Sequence, residues 1–402
     1  MQLTPRRHEL LSVYMLGFGT LFLYLGYHTQ SFISESIIHS VHLRDPHRIS
    51  GYAGYYGQAI HYSAFAISSL FTASLQHYLA SKWMLVLATV FFAVYHLGFF
   101  YINSYYFYAS QIMMGLAASL YNNGEGAYLA EHSSRRTVES NTGIETAVGH
   151  TSMLVGGIAL LVVFKIFPAE ASEIASHFRS FSENHIQAIY GTLFGLSLIS
   201  TVIFALLPTK QYDSIASNSP RIIPSFKNQI KGLLKTSIHP NMILLTFTFF
   251  HMGLLVSFFL GIYPTTLSFT ASLAQDVYIV ALYSVFAGLA EVSVACIFGF
   301  LMGMADYTLT MARAVICQKA VPENRIEVFS LTRIYQCVAS CIVLFLSPYM
   351  TVTAWTVVLS TSLVIGCTCF VIVIRRTNKS EDVVSPVERV DSKEKVSTAS
   401  IA

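Results

Sequence analysis

The sequence predicts an all-α membrane protein of about ten crossings, six before a basic linker and four after it. Three observations carry this. Apolar residues fill 54% of the 402 positions and charged residues only 11%, where a soluble domain carries about 25% charged residues. The apolar residues gather in runs of about 20, enough to cross hydrocarbon as a helix. Lys and Arg fall between alternate runs, as the positive-inside rule requires. So apolar a chain cannot fold as a soluble enzyme or a nucleic-acid-binding domain and keep a wettable surface. The net charge of +3 is too small to imply a polyanionic partner. The partner that composition does imply is the lipid bilayer.

The runs follow in order. The first, Leu10 to Ser31, comes after Arg6 and Arg7. It is too long for a secretory signal and lacks a small-x-small cleavage site, so it reads as a retained helix. The next five are Gly51 to Leu79, Trp83 to Ile102, Tyr105 to Ala130, Gly143 to Phe167 and Ala188 to Leu207. The polar stretch Pro208 to Pro240 carries Lys210, Arg221, Lys227, Lys231 and Lys235 and reads as a cytosolic linker with a short amphipathic helix at Phe226–Leu234. Then come Met242 to Tyr263, a long run from Val277 to about Ile316, Val328 to Tyr349 and Trp355 to Ile374. The domains are therefore a bundle over 1–207, the linker 208–240, a second bundle over 241–374 and a polar tail over 375–402 whose composition suits disorder. With both termini cytosolic, the outer segments hold only Arg44, Arg48, Lys165 and Arg179 of the 24 Lys and Arg residues. Trp83 and Trp355 begin runs, where an amphipathic ring prefers the headgroup layer.

The stretch Asp276 to Cys317 would measure about 60 Å as one helix, roughly twice the hydrocarbon thickness. A single crossing with a cytosolic extension keeps Lys319, Arg325, Arg333, Arg375 and Arg376 inside. A hairpin near Gly299–Gly303 would put them outside. The single crossing fits the charge rule.

Motifs at the end of the fourth run carry a resemblance. Gly124-Glu125-Gly126-Ala127-Tyr128, then Ser133, then Asn141-Thr142-Gly143-Ile144 resemble the signature of the uncoordinated-ninety-three-like (Unc-ninety-three) branch of the major facilitator superfamily. Ser50-Gly51-Tyr52 also fits, as do Gly288 with Glu291 and Gly303 with Asp306. The resemblance spans most of residues 9–374 and implies a major-facilitator-like helix bundle. There are departures. Ser140 stands where the family has Arg, Thr146 where it has an aromatic residue, and Thr310 and Ala312 where it favours Asn and Gln. The family also places about two helices between its Gly-x-x-Glu and Gly-x-x-Asp motifs. Here Phe298-Gly299-Phe300-Leu301-Met302-Gly303 reads as a join across their deletion.

Ionisable side chains at membrane depth are functional candidates by default. Glu291 is a candidate proton or cation relay, against a neutral interhelical hydrogen bond. Glu125, with Asn123 beside it, is a candidate gate hinge, against a solvated helix end; its flanking glycines would let another backbone approach. Asp306 lies beyond the join, where an ion pair with Arg313 is the alternative. His61, His96, His150 and His251 fall inside runs. A histidine relays protons near neutral pH, but a lone membrane histidine more often serves as a neutral interhelical bonder. Two small or polar stripes follow helical spacing: Glu145, Gly149, Ser152, Gly156, and Gly115, Ser119, Asn122, Gly126. Such stripes serve close packing or line a cavity.

No nucleotide loop, nucleophile elbow or metal motif is present, and the six Cys residues form no CxxC pair. No cofactor, metal or enzymatic activity is expected. The resemblance implies an accessory or regulatory subunit of a potassium-channel or other membrane-protein complex, and the shortened second half favours that role. The alternatives are a proton- or cation-coupled secondary transporter of a small solute and a shortened product with little activity.

Overall fold

The computed structural model describes residues 4–75, 78–134, 136–166, 181–210, 214, 226–269, 278–292, 316, 321 and 325–398. Helix α1 spans Pro5–Arg44. Pro5 suits its first turn, where a backbone N–H would find no partner anyway, and Pro46 follows its end. The helix therefore runs well past Ser31, where the apolar run was expected to stop. Phe32, Ile33, Ile37, Ile38 and Val41 all bury on it, and neither Gly nor Pro interrupts Ser31 to Asp45.

Helices α2 (Ala53–Ser69), α3 (Thr72–Leu75), α4 (Ser81–Leu97), α5 (Ser104–Glu131), α6 (Val138–Ile166) and α7 (Glu183–Ala205) complete the first half. Side chains of Asn103 and Ser182 cap α5 and α7 by accepting from Tyr106 N and His185 N, which satisfies donors that have no intrahelical acceptor. Helix α8 (Phe226–Ser237) is the amphipathic linker helix. In the second half, α9 (Pro240–Ser257) passes through a π-helical turn, Phe258–Ile262, into α10 (Tyr263–Phe269). Helices α11 (Ile279–Val292), α12 (Arg325–Leu346) and α13 (Val352–Thr398) follow. Helix α13 continues through the polar stretch where a disordered tail was expected; that stretch holds helix-forming Glu, Lys and Arg residues and one proline, Pro386.

Seven of these helices are long and apolar enough to cross a membrane. Helices α2, α5 and α11 pack among them. Trp83 is half exposed at the start of α4. Trp355, expected at the headgroup layer, instead buries against Ile262 and Val343.

The halves repeat one packing scheme. Helix α1 packs on α6 and α7, and α9 packs on α12 and α13. Between the halves, α6 packs on α11 and α2 packs on α12. Matching α1 with α9, α2 with α11, α6 with α12 and α7 with α13 exchanges these two seams. Among the described residues, α4 and α5 have no counterpart. One hydrophobic core runs from Val13 of α1 through to Ala287 of α11, so the halves share an interior.

Both kinds of seam are tight. A Cβ on Gly288 of α11 would lie 2.2 Å from Leu154 N, and one on Gly157 of α6 would lie 2.5 Å from Val285 N. Only hydrogen fits there, so the α6 and α11 backbones touch directly. Ser284 adds a hydrogen bond to Met153 O at 3.0 Å. Within the second half, a Cβ on Gly253 of α9 would lie 2.2 Å from Gln336 O of α12.

Candidate functional site

Polar side chains line one face of α1. Thr20, Tyr24, Tyr27, Ser31 and Glu35 recur at intervals of three or four residues, the spacing of neighbours on one helix face. From first to last the file rises about 22 Å. It is buried or half-buried along its length, inside a helix otherwise dense with Leu, Ile and Phe.

At one end of the file stands a carboxyl pair. Glu145 of α6 is buried and hydrogen-bonded to Glu125 of α5. Thr20 Oγ1 donates to Glu145 Oε1 at 3.0 Å and lies 2.8 Å from Tyr121 Oη. Gly149 makes room, since a Cβ there would sit 2.6 Å from Thr20 Cγ2. Tyr121 meets Tyr24 edge-on at 5.3 Å, and Tyr24 stacks on His28 at 5.2 Å. His28 lies 3.4 Å from Ser152 Oγ and within electrostatic reach of His150. Arg333 of α12 acts electrostatically on Tyr24 from the other half.

A hydrogen bond between two carboxyl groups needs a proton on one of them. Two carboxyl groups in this relation can share one proton. Removing that proton would leave two negative charges side by side, with Glu145 buried, which is costly. The sequence marked Glu125 but entered Glu145 only as a member of a packing stripe.

At the other end, Glu35 is 7% exposed. Its carboxyl faces the backbone N–H groups of Gly54 and Tyr55 in the first turn of α2, while Oε2 has no hydrogen-bond partner. Tyr52, at the N-cap position of α2, makes no side-chain cap, so Glu35 supplies the acceptor oxygen for the otherwise unsatisfied donors of this helix start. Glu35 was missed in the sequence because the first run was ended at Ser31.

The remaining candidates disperse. Asn123 of α5 donates to Thr72 Oγ1 at 2.8 Å and to Ser119 O at 2.9 Å. His61 is buried among the rings of Tyr27, Tyr62 and Phe65, and its Nδ1 is without a partner. His96 pairs with Ser197 at 3.0 Å and His251 with Ser362 at 2.8 Å, both as interhelical contacts. Glu291 stands in the last turn of α11; its side chain, with all of Gly303 and Asp306, lies outside the described residues.

The motif residues gather at the end of the bundle that holds the start of α1. Asn141 Nδ2 donates to Glu9 Oε1 at 2.6 Å and to Ser133 Oγ at 2.9 Å, and Arg6 donates to Asn141 Oδ1 at 3.3 Å. Thr137 also donates to Glu9, and Arg6 pairs with it at 3.0 Å. Tyr128 Oη donates to Pro208 O at 2.9 Å. Of the motif glycines, Gly124 abuts Ser81, Met84 and Leu85 of α4, but a Cβ on Gly126 or Gly143 would meet nothing within 4 Å. Close approach thus explains Gly124 and Gly288 and not Gly126. Among the described residues no metal-ligand cluster occurs.

Comparison with known proteins matches this architecture. Solved structures of similar fold include a peptide transporter, POT, bound to alafosfalin (TM-score 0.62, 9% identity, 94% of this chain and 99% of that one). They also include the xylose transporter XylE of E. coli in an inward-open conformation (TM-score 0.53, 13% identity, 92% of this chain and 94% of that one). The UNC93-like protein MFSD11 of Xenopus laevis is 26% identical over 320 residues, 76% of this chain and 68% of that protein. The model of the family described as ion channel regulatory protein UNC-93 matches residues 45–302 and again 292–371; the second match starts beside the stretch whose sequence reads as a join. The chain is an integral multi-pass membrane protein with the major-facilitator fold, and it belongs to the UNC-93 family.

Proposed function

We propose that this protein binds protons at the Glu125–Glu145 pair and couples their release to movement between its halves, as a secondary transporter of a small solute does. The single observation that carries the reading is the hydrogen bond between those two carboxyl groups. Deprotonation puts two negative charges on neighbouring helices α5 and α6. Arg333, on α12 of the other half, is the cation in electrostatic reach of Tyr24 beside them. Attraction across the halves then replaces the hydrogen bond within one half, which is the differential contact an alternating mechanism requires. The basic linker and the basic start of α1 face the cytosol in this reading.

The test is proton flux into vesicles holding the purified protein and an interior pH dye. Glu145→Gln keeps the acceptor for Thr20 but cannot release a proton, so it abolishes gradient-driven flux while the protein stays folded. Equal flux in wild type and in the Glu125→Gln, Glu145→Gln double variant overturns the reading.

A second reading is a regulatory or accessory subunit of a potassium-channel or other membrane-protein complex. The description of the UNC-93 family model favours it, as does a second half in which counterparts of α4 and α5 do not appear among the described residues. Affinity capture from membranes followed by potassium-current recording tests it; no enriched membrane partner and unchanged currents count against it.

A further inference from the structure

Helix α8, in the linker between the halves, carries an exposed basic face that the carboxyl pair does not use. Lys227, Lys231 and Lys235 recur every four residues, so they stand in line on one side of the helix. All three are exposed. No Asp or Glu occurs from Phe226 to Pro240.

The opposite side is fixed to both halves. Gln229 is buried and accepts from Ser74 of α3. Leu233 buries in a cluster with Met242 of α9 and Val373 of α13, and Ile230 and Ile374 pack against it. Rotating the lysines inward would undo this packing.

The basic face borders the apolar part of the molecule. Leu234 stands three residues from Lys231, so it lies beside it on the helix surface, and it is 62% exposed. Ile238, just past the helix, is 73% exposed. Helix α9 begins at Pro240, and its Ile243 and Phe247 turn outward where the span starts. Arg375 and Arg376, both exposed, follow Ile374 directly and bring two more cations to this end. Lysines mixed with large apolar side chains on one helix face suit the headgroup layer.

Among the described residues the ion pairs are Arg6 with Glu9, and Arg44 and Arg48 with Glu183. The five cations take part in none of them. Glu327 of α12 lies against Gly232, about 100° around the helix from Lys231 and so off the lysine line. Clusters of about four to eight Lys and Arg residues beside a span attract anionic lipid.

We propose that α8, together with Arg375 and Arg376, is a binding surface for anionic phospholipid headgroups of the leaflet it borders. The ammonium and guanidinium groups meet the phosphate and the extra negative charge of the headgroup, while Leu234 and Ile238 reach toward the acyl chains. A choline headgroup, with no net charge, is held less well.

The full-length protein in bilayers of phosphatidylcholine with a minor share of phosphatidylserine tests this. The protein is released in detergent and purified, and the lipid it retains is counted by mass spectrometry. Phosphatidylserine should be enriched about fivefold or more over its share of the bilayer, the attraction that one basic residue near the surface supplies. A wash in about 1 M salt, where the Debye length is about 3 Å, should remove the enrichment. The combined Lys227→Gln, Lys231→Gln, Lys235→Gln variant should bring it close to parity, and Lys→Arg changes at the same three positions should keep it. Lys165→Gln removes an exposed cation of α6 and should leave it unchanged. The salt wash uses unaltered protein, so it stands as the test if the glutamine variant fails to insert. Equal retention of the two lipids by wild type, enrichment that survives the triple substitution, or enrichment indifferent to salt overturns the proposal. So does lysine-dependent binding of calmodulin, used as an acidic protein probe, without any lipid preference; α8 would then be a protein-docking helix.

Discussion

Asn141 and Glu9 lie 132 positions apart in the chain and 2.6 Å apart in space, the amide of one donating to the carboxylate of the other. That bond, with Asn141 to Ser133 at 2.9 Å, ties the start of α6 to the first turn of α1. It gives the family's Asn a structural meaning: an amide can both donate and accept, and here it donates twice and accepts from Arg6.

Asn141→Ala should therefore destabilise the protein by about 1–3 kcal/mol, because Asn141 is fully buried and its loss removes the donor to Ser133, one of the donors to Glu9 and the acceptor for Arg6. Asn141→Asp should cost at least as much, since it replaces the donor with a negative charge facing Glu9. Chemical denaturation in detergent checks both. A change below about 0.5 kcal/mol for either would mean the cluster is solvated rather than structural.

The glycines divide into two classes that substitution can separate. Gly288→Ala and Gly157→Ala press a methyl group into the facing backbone, with no flexible side chain to move aside. Each should cost about 1–3 kcal/mol or more and loosen the α6–α11 seam, measurable as faster cysteine labelling at that seam. Gly126→Ala and Gly143→Ala meet open space. Both sit in helices, so alanine should be neutral or stabilising by up to about 1 kcal/mol. Loss of function without loss of stability at Gly126 would point to a moving part.

The order of the helices was legible because hydrophobic runs and basic loops are properties of local sequence. The polar file on α1 was not, because Thr, Tyr and Ser sit comfortably within a run that averages as apolar. Glu35 dropped out for a related reason. The apolar run thins after Ser31, yet the helix goes on to Arg44 and buries that carboxyl against α2. Glu145 showed only as part of a stripe, since its partner Glu125 belongs to another helix. The motif spacing placed Ser133, Asn141 and Tyr128 near one another. Nothing in it pointed to Glu9 or to the end of α7, which the fold brings in from far along the chain.

His132 should make stability depend on pH. Burial pushes its pKa below the ordinary imidazole value of about 6.5. The unfolded chain then takes up a proton that the folded ring refuses, so stability falls as pH drops below about 6.5 and levels off beneath the folded value. The slope from this one group is at most about 1.4 kcal/mol per pH unit. His132→Asn should flatten that part of the profile between pH 5 and 7 and leave the alkaline side unchanged. An identical profile in the variant would locate the titration elsewhere.

Glu35 and Gly54 form a contact that a double-mutant cycle can isolate. A Cβ on Gly54 would lie 1.9 Å from Glu35 Oε2, so Gly54→Ala must push the carboxyl away from the N–H groups of Gly54 and Tyr55. Glu35→Ala removes the carboxyl outright. Either change uncaps the start of α2 and should cost about 1–2 kcal/mol. Because both act on the same contact, the double variant should cost clearly less than their sum, with a coupling of about 0.5 kcal/mol or more. Glu35→Gln keeps the shape and an acceptor oxygen for the two N–H groups while replacing the second carboxyl oxygen with an amide N–H₂. It should fall between wild type and Glu35→Ala. Strict additivity in the cycle, measured by denaturation of the purified variants, would show that Glu35 does not hold the start of α2, and the outer end of the α1 file would then need another explanation.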